Sequence, residues 1–187
     1  LSVGFNRSYS PYFNEAKKSL GDCKKSILYR INAGKLDFGA WENDLAIGGG
    51  RIVGEVCHFV EFVTNLSGSQ VIEVSGKAFD LDSGNQDFHI SMLYADGSVA
   101  TILYLASGSA GVEKEYIEVH EGDTSIKIYD FARMEIFTGE KFKKFKTRRK
   151  DKGQKFFFAA MISGMKSSAV TQSPGMLFHV TDVTFAI

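Results

Sequence analysis

The residue types best suited to chemistry stand together in Gly48-Gly49-Gly50-Arg51-Ile52-Val53-Gly54-Glu55-Val56-Cys57-His58. Triple glycine at a helix start lets a ligand approach the backbone, and free N–H groups with the helix dipole favour an anion there. In an α-helix Arg51, Glu55 and His58 fall at i, i+4 and i+7 and share one face. A guanidinium, a carboxylate and an imidazole then line one surface. His58 titrates near neutrality and suits general acid–base work, with Glu55 placed to orient or tune it. The same residues also fit a flexible connection followed by a half-buried, satisfied histidine, and one His–Glu pair does not decide between the readings. The glycines are no dinucleotide fingerprint: Gly48, Gly50 and Gly54 give G-x-G-x-x-x-G after a loop, not G-x-G-x-x-G after a strand.

A second candidate is 141–155 (KFKKFKTRRKDKGQK), with nine basic residues against one acid. Lysines interleaved with Phe142 and Phe145 suit a nucleic-acid backbone, or the phosphates of a sugar nucleotide. They suit better an edge strand with Phe inward and Lys outward, the lysines discouraging edge-to-edge aggregation. The remaining chemistry is sparse. Cys57 and His58 are neighbours and point apart on a helix, and the four histidines show no metal-ligand spacing, so no metal is expected. Cys23 and Cys57 are too few for a disulfide framework and read as reduced thiols.

The elements that must position these residues follow from pattern. Val3–Phe5 reads as a strand end. Ser10-Pro11 is an N-cap followed by a proline at the first helical position, which predicts a helix from Pro11 to about Leu20. Lys25–Asn32 is rich in β-formers. Residues 33–50, with five glycines and Trp41, form a long loop. Apolar residues at three- and four-residue steps predict a helix from Arg51 to about Leu66. Short strands follow at 71–79, 87–94, 99–106, 114–120, 125–130 and 134–137, joined by tight turns such as Ala95-Asp96-Gly97-Ser98, and must be antiparallel. Helical spacing returns at 151–164, and Ser173-Pro174 opens a last helix. The fold class is α+β, a single domain with a largely antiparallel sheet and helices packed on one face. The other face, carrying Ile90, Met92, Tyr94, Ile102 and Tyr104 or their neighbours, must be covered by a partner or a second copy.

The 187 residues hold 22 Lys+Arg and 22 Asp+Glu, with 44% hydrophobic residues and only 2 prolines. That composition excludes disordered and disulfide-scaffold classes, and zero net charge gives no global field toward nucleic acid or an anionic membrane. No run reaches the roughly 18 apolar residues of a membrane helix and no signal pattern opens the chain, so a cytoplasmic protein is expected.

The ordered set Val3-Gly4-Phe5-Asn6-Arg7 with Ser10-Pro11, Asn32-Ala33-Gly34, Trp41, Gly48–Phe62, Ala95–Ser98, Lys114-Glu115 and Asp151-Lys152-Gly153 resembles the C-terminal domain of the glucose-fructose oxidoreductase / inositol dehydrogenase (Gfo/Idh/MocA) family. The likeness covers essentially the whole chain and is greatest to a bacterial two-part branch associated with polysaccharide synthesis. The resemblance implies a substrate-binding and oligomerisation domain over 1–187. It normally follows a Rossmann domain that carries NAD or NADP and a Glu-Lys-Pro motif, both absent here, so the chain reads as a fragment. It places His58 as the catalytic acid/base on a sugar, cyclitol or nucleotide-sugar hydroxyl. Asn6 would stand near the cofactor, and Arg7, Trp41, Arg51, Glu55 and Lys152 would line the sugar pocket. Ser8 and Gln154 depart from the usual Arg and His. The competing reading is a non-catalytic binding or assembly module of the same fold. Expected partners are the missing Rossmann domain, the sugar and further copies through the open sheet face, with no nucleic acid and no membrane.

Overall fold

A computed structural model describes residues 2–37, 39–41, 46–80, 85–167, 169 and 171–187. The loop expected over 33–50 lies in part, at 38 and 42–45, outside the described residues. Eight strands form one sheet in the order β2-β3-β4-β1-β5-β6-β7-β8. They are β1 (Ser26–Asn32), β2 (Val71–Asp80), β3 (Gln86–Tyr94), β4 (Val99–Leu105), β5 (Glu115–Glu121), β6 (Thr124–Tyr129), β7 (Arg133–Thr138) and β8 (Lys141–Lys146). All neighbours are antiparallel except β1 and β4. The exception follows from chain order. β1 is separated from the meander by the loop and a helix, and that crossover lets it enter between β4 and β5 parallel to β4.

The helices are α1 (Pro11–Ser19), α2 (Cys57–Ser67), α3 (Gln154–Ser167) and α4 (Pro174–Ala186). Helix α1 starts where the cap predicts: the Phe13 N–H donates to Ser10 Oγ at 3.0 Å, a bond worth about 1 kcal/mol. Ser173 precedes α4 without capping it through its side chain. Val3–Phe5 is irregular rather than a strand. Its backbone neighbours Gln172 instead of a strand, with Val3 N–H on Gln172 Oε1 at 2.9 Å.

Helix α2 is the centre of the helical layer. Phe62, Val63 and Leu66 are fully buried against the inner sheet face, where Tyr29, Ile31, Ile90, Tyr94, Ile102, Tyr104, Ile117 and Ile128 have no exposure. Met92, at 3%, completes the expected row, which therefore lies on the helix-covered face. The open face carries the neighbours, and these change in character along the sheet. Leu28, Leu93, Leu103 and Leu105 stand half-buried at one end. At the other, Glu118–Lys127 (3.3 Å) and Glu135–Lys144 (3.6 Å) pair across strands, with Arg133 stacked over Tyr129.

Strand β8 is an edge, as the lysines suggest, but the two phenylalanines face opposite ways: Phe145 stands opposite buried Met134 on the inner face and Phe142 opposite Phe137 on the open one. Phe142 is 53% exposed and stacks on Phe137 of the open face at 4.9 Å. At a sheet edge no helix lies over β8 to bury Phe145, which stays 36% exposed.

Candidate functional site

The glycine segment enters a helix, but not with α-helical spacing throughout. Ile52–Val56 is π-helical and passes directly into α2. A π turn takes one residue more than an α turn, and such turns recur at functional sites. Its consequence is that Arg51, Glu55 and His58 do not share one face.

Arg51 and Glu55 converge on Tyr104 of β4. The Tyr104 hydroxyl donates to Glu55 Oε2 and accepts from Arg51 Nη1 at 3.1 Å. Arg51 is 5% exposed. Its Nη2 reaches Gly34 O (2.9 Å) and Asn85 Oδ1 (3.2 Å), and its buried Nε has no partner among the described residues. Among the described residues no carboxylate pairs directly with this guanidinium. Glu55 therefore serves Tyr104 and not His58, contrary to the helical-face expectation, because the π turn rotates it away.

His58 packs edge-on against Phe5, ring centroids 5.4 Å apart. Its Nδ1 is buried and has no hydrogen-bond partner among the described residues. Burial, then the positive charge of Arg7, push its pKa down from 6.5 to about 4, with Glu115 opposing. At neutral pH the imidazole is uncharged and holds a free lone pair or N–H. The satisfied-histidine reading does not describe it.

A second cluster forms around Glu115, which sequence reasoning quoted but gave no role. Arg7 grips its carboxylate bidentately, Nε to Oε2 at 2.8 Å and Nη2 to Oε1 at 3.0 Å. Lys152 and the Tyr29 hydroxyl complete the shell, and Glu115 has no exposure. Burial would raise its pKa, but the hydrogen bonds and charges of Arg7 and Lys152 outweigh that and hold it at about 2. Two cations on one carboxylate leave a net positive charge. Asn6 joins through the backbone, its Nδ2 donating to Lys152 O at 2.6 Å. Gly153 makes this approach possible: with φ of 85°, a Cβ there would collide with Asn6 O and Ser10 N.

Phe59 links the two clusters. The Arg7 guanidinium lies 4.7 Å over its ring, which meets Tyr29 at 5.1 Å and Tyr104 at 6.0 Å. The structure thus gathers Asn6, Arg7 and Lys152 on one side of Phe59, Arg51 and Glu55 on the other, and His58 at the next position of α2. Trp41 is not brought in: it is 57% exposed and makes no ring contact among the described residues. Tyr29, Tyr104 and Glu115 were missed, although strand alternation places all three on the inner face.

Glu61 lies one turn beyond His58 on α2. It is 3% exposed and its pKa is pushed up to about 7 by burial, against hydrogen bonds from Ser8 and Asn65. Between the ordinary values of 4.5 and 6.5 the folded chain therefore keeps a proton on Glu61 and none on His58. The unfolded chain does the reverse, so these two sites bind equal numbers of protons and cancel. The single variants should unmask opposite slopes of about 1.4 kcal/mol per pH unit at most. As pH falls from 6.5 to 4.5, Glu61→Gln is expected to lose about 2 kcal/mol relative to wild type, the smaller figure allowing for solvent at half-buried His58. His58→Gln is expected to gain about 3 kcal/mol over the same interval. Urea unfolding at three pH values checks both.

Among the described residues no group of His, Cys, Asp and Glu is placed to hold a metal ion, and no helix is long and apolar enough to cross a membrane.

An eight-stranded, mostly antiparallel sheet with helices on one face is the fold found in Gfo/Idh/MocA-type oxidoreductases. No protein-family model and no curated protein matches the sequence, so the comparison rests on solved structures. UDP-N-acetylglucosamine 3-dehydrogenase from Acidithiobacillus ferrooxidans is 10% identical with a TM-score of 0.81, over 100% of this chain and 60% of its own. Aldose-aldose oxidoreductase from Caulobacter crescentus, solved with glycerol, is 14% identical with a TM-score of 0.80, over 100% and 59%. GenD2 from gentamicin A biosynthesis, solved with NAD, is 17% identical with a TM-score of 0.73, over 98% and 59%. The chain spans about three fifths of the length of each.

Proposed function

We propose that residues 1–187 are the substrate-binding and oligomerisation domain of an NAD(P)-dependent oxidoreductase acting on a sugar, cyclitol or nucleotide sugar, with His58 as the acid/base. The observation that carries this reading is a neutral imidazole whose buried nitrogen has no partner among the described residues, next to a carboxylate-centred cluster with a cation in excess. A hydroxyl being oxidised must lose a proton, and a neutral histidine accepts one. The excess positive charge of Arg7 and Lys152 favours an oxygen that becomes electron-rich as the proton leaves. The activities named for the solved relatives, an aldose oxidoreductase and a nucleotide-sugar dehydrogenase, agree with that chemistry.

No dinucleotide cradle is assigned to residues 1–187. The parallel pair β1–β4 stands alone among antiparallel strands. The glycines answer to packing instead: a Cβ on Gly49 would meet Val53 at 2.9 Å, and one on Gly54 would meet Gly48 O at 3.3 Å. NAD or NADP, which accepts the hydride, would be held mainly by a preceding Rossmann domain, with Asn6 near the junction. The exposed apolar residues Phe158, Ile162 and Met165 of α3 suit cover by that domain. The gene upstream of Leu1 tests the reading: a Rossmann fingerprint followed by Glu-Lys-Pro is expected, and sugar-dependent reduction of NAD(P) by the extended protein. Finding neither would leave the non-catalytic module, to which the Ser8 and Gln154 departures also point.

Self-association is assigned to the open sheet face, where Leu28 lies diagonal to Leu103, Leu105 follows Leu103 on β4, and Leu93 stands opposite exposed Val99. Sedimentation should show a dimer or larger species. Leu103→Glu, which buries a charge in that contact, should shift it to monomer without unfolding it.

A further inference from the structure

A pocket of about 370 Å³ lies beside α2, away from the cluster around Glu115, between the turn Arg7–Tyr9, α1 and the start of α4. The buried carboxylate of Glu61 lines it, and neutral groups alone bind that carboxylate: Ser8 Oγ donates to Oε2 at 2.9 Å and Asn65 Nδ2 to Oε1 at 2.6 Å. Among the described residues no cation pairs with it. Arg7 and Lys17 come near without pairing with it. Arg7 is folded onto Glu115 and Phe59. Lys17 lines the same pocket, but its ammonium stands by the C-terminal end of α2, where a Cβ on Gly68 would lie 3.4 Å away, and among the described residues it makes no ion pair with Glu61. Of the remaining walls, α2 adds Asn65 and α4 adds Met176 and Leu177, none of them titratable, while the Arg7–Tyr9 turn adds the Tyr9 phenol.

A carboxylate taken out of water without a counter-charge is costly. Here the counter-charge is missing while the space for one is present. Phe13, Tyr9 and Met176 offer aromatic and apolar surface beside it, which suits the face of a guanidinium or the carbons next to an ammonium. We propose that this pocket is a binding site for a small organic cation, an ammonium or guanidinium group on a short carbon chain, held by Glu61 with Ser8 and Asn65. The site is separate from the sugar site, and its occupation does not depend on the oxidoreductase reading.

The test titrates the 187-residue chain with methylguanidinium and ethylammonium chlorides, against methylurea, ethanol and sodium chloride, reading NMR shifts and the unfolding midpoint. Saturable binding of the two organic cations is expected, at least 10-fold tighter than the neutral analogues, and tighter at pH 8 than at pH 6 as Glu61 loses its proton. Glu61→Gln should remove that preference. Ser8→Arg, whose guanidinium would occupy the pocket from position 8, should abolish binding while raising the midpoint, and decides the matter if Glu61→Gln fails to fold. Equal binding of cations and neutral analogues, an equal response to sodium chloride, or undiminished binding in either variant overturns the proposal.

Discussion

Glu115→Ala is expected to destabilise the chain by about 3–5 kcal/mol, the range for breaking a buried ion pair from one side. The cost lies less in the lost attraction than in what remains. Arg7 and Lys152, with side-chain exposures of 13% and 22%, would face each other with no carboxylate between them, and the Tyr29 hydroxyl, fully buried, would lose its acceptor. Glu115→Gln keeps the shape but not the charge and should cost nearly as much. Arg7→Ala in the Glu115→Ala background should restore part of the loss, because it removes one of the two cations left facing each other and leaves Lys152 alone. The pH dependence carries its own signature. The folded carboxyl sits at about 2 against an ordinary 4.5. Its contribution is therefore complete above pH 4.5 and is lost as pH falls toward 2, about 3 kcal/mol over that window. Denaturant unfolding at pH 7 and pH 3 should show the wild type converging on Glu115→Ala in acid. A variant within 1 kcal/mol of wild type at pH 7 would mean that the cluster is surface-like and does not organise Asn6, Arg7 and Lys152.

Much of the architecture was legible because it rests on local rules. The Ser10-Pro11 cap, the tight Gly97 and Gly122 turns and the two-residue alternation of the meander each depend on residues close in sequence. What local rules could not supply was β1 entering between β4 and β5, since that pairing is decided by where the crossover through α2 deposits the strand. The site divides the same way. His58, Arg51 and Glu55 were visible as a spacing, yet the spacing assumed 3.6 residues per turn, and the π turn at Ile52–Val56 broke it. Glu115 could have been inferred: it shares alternation with Ile117 and Val119, so it had to be buried, and a buried carboxylate needs a cation. Nothing in the sequence says which cation, because Arg7 and Lys152 are 108 and 37 residues away and meet only through the close approach at Gly153.

His58→Ala, made in the extended oxidoreductase proposed above, is expected to lower kcat by about 10²- to 10⁴-fold, the usual worth of a positioned acid–base group, with much less change in KM. The other titratable groups near the start of α2 are poorly placed to substitute. Burial pushes the Cys57 thiol up to about 11, so it stays protonated. Glu61 faces the separate pocket, and Lys152 is bound to Glu115. A drop in kcat alone could reflect disturbed packing against Phe5, so the pH profile is the discriminating readout. With the imidazole at about 4 rather than 6.5, the wild-type rate should stay level from pH 8 to about pH 5 and fall below that as His58 gains a proton. Burial is the larger cause of this depression and Arg7 the second. Arg7→Gln should therefore move the acidic limb to higher pH while His58 remains present, and His58→Ala should remove the limb. An enzyme that turns over equally well without His58, or whose acidic limb ignores both substitutions, takes its proton elsewhere.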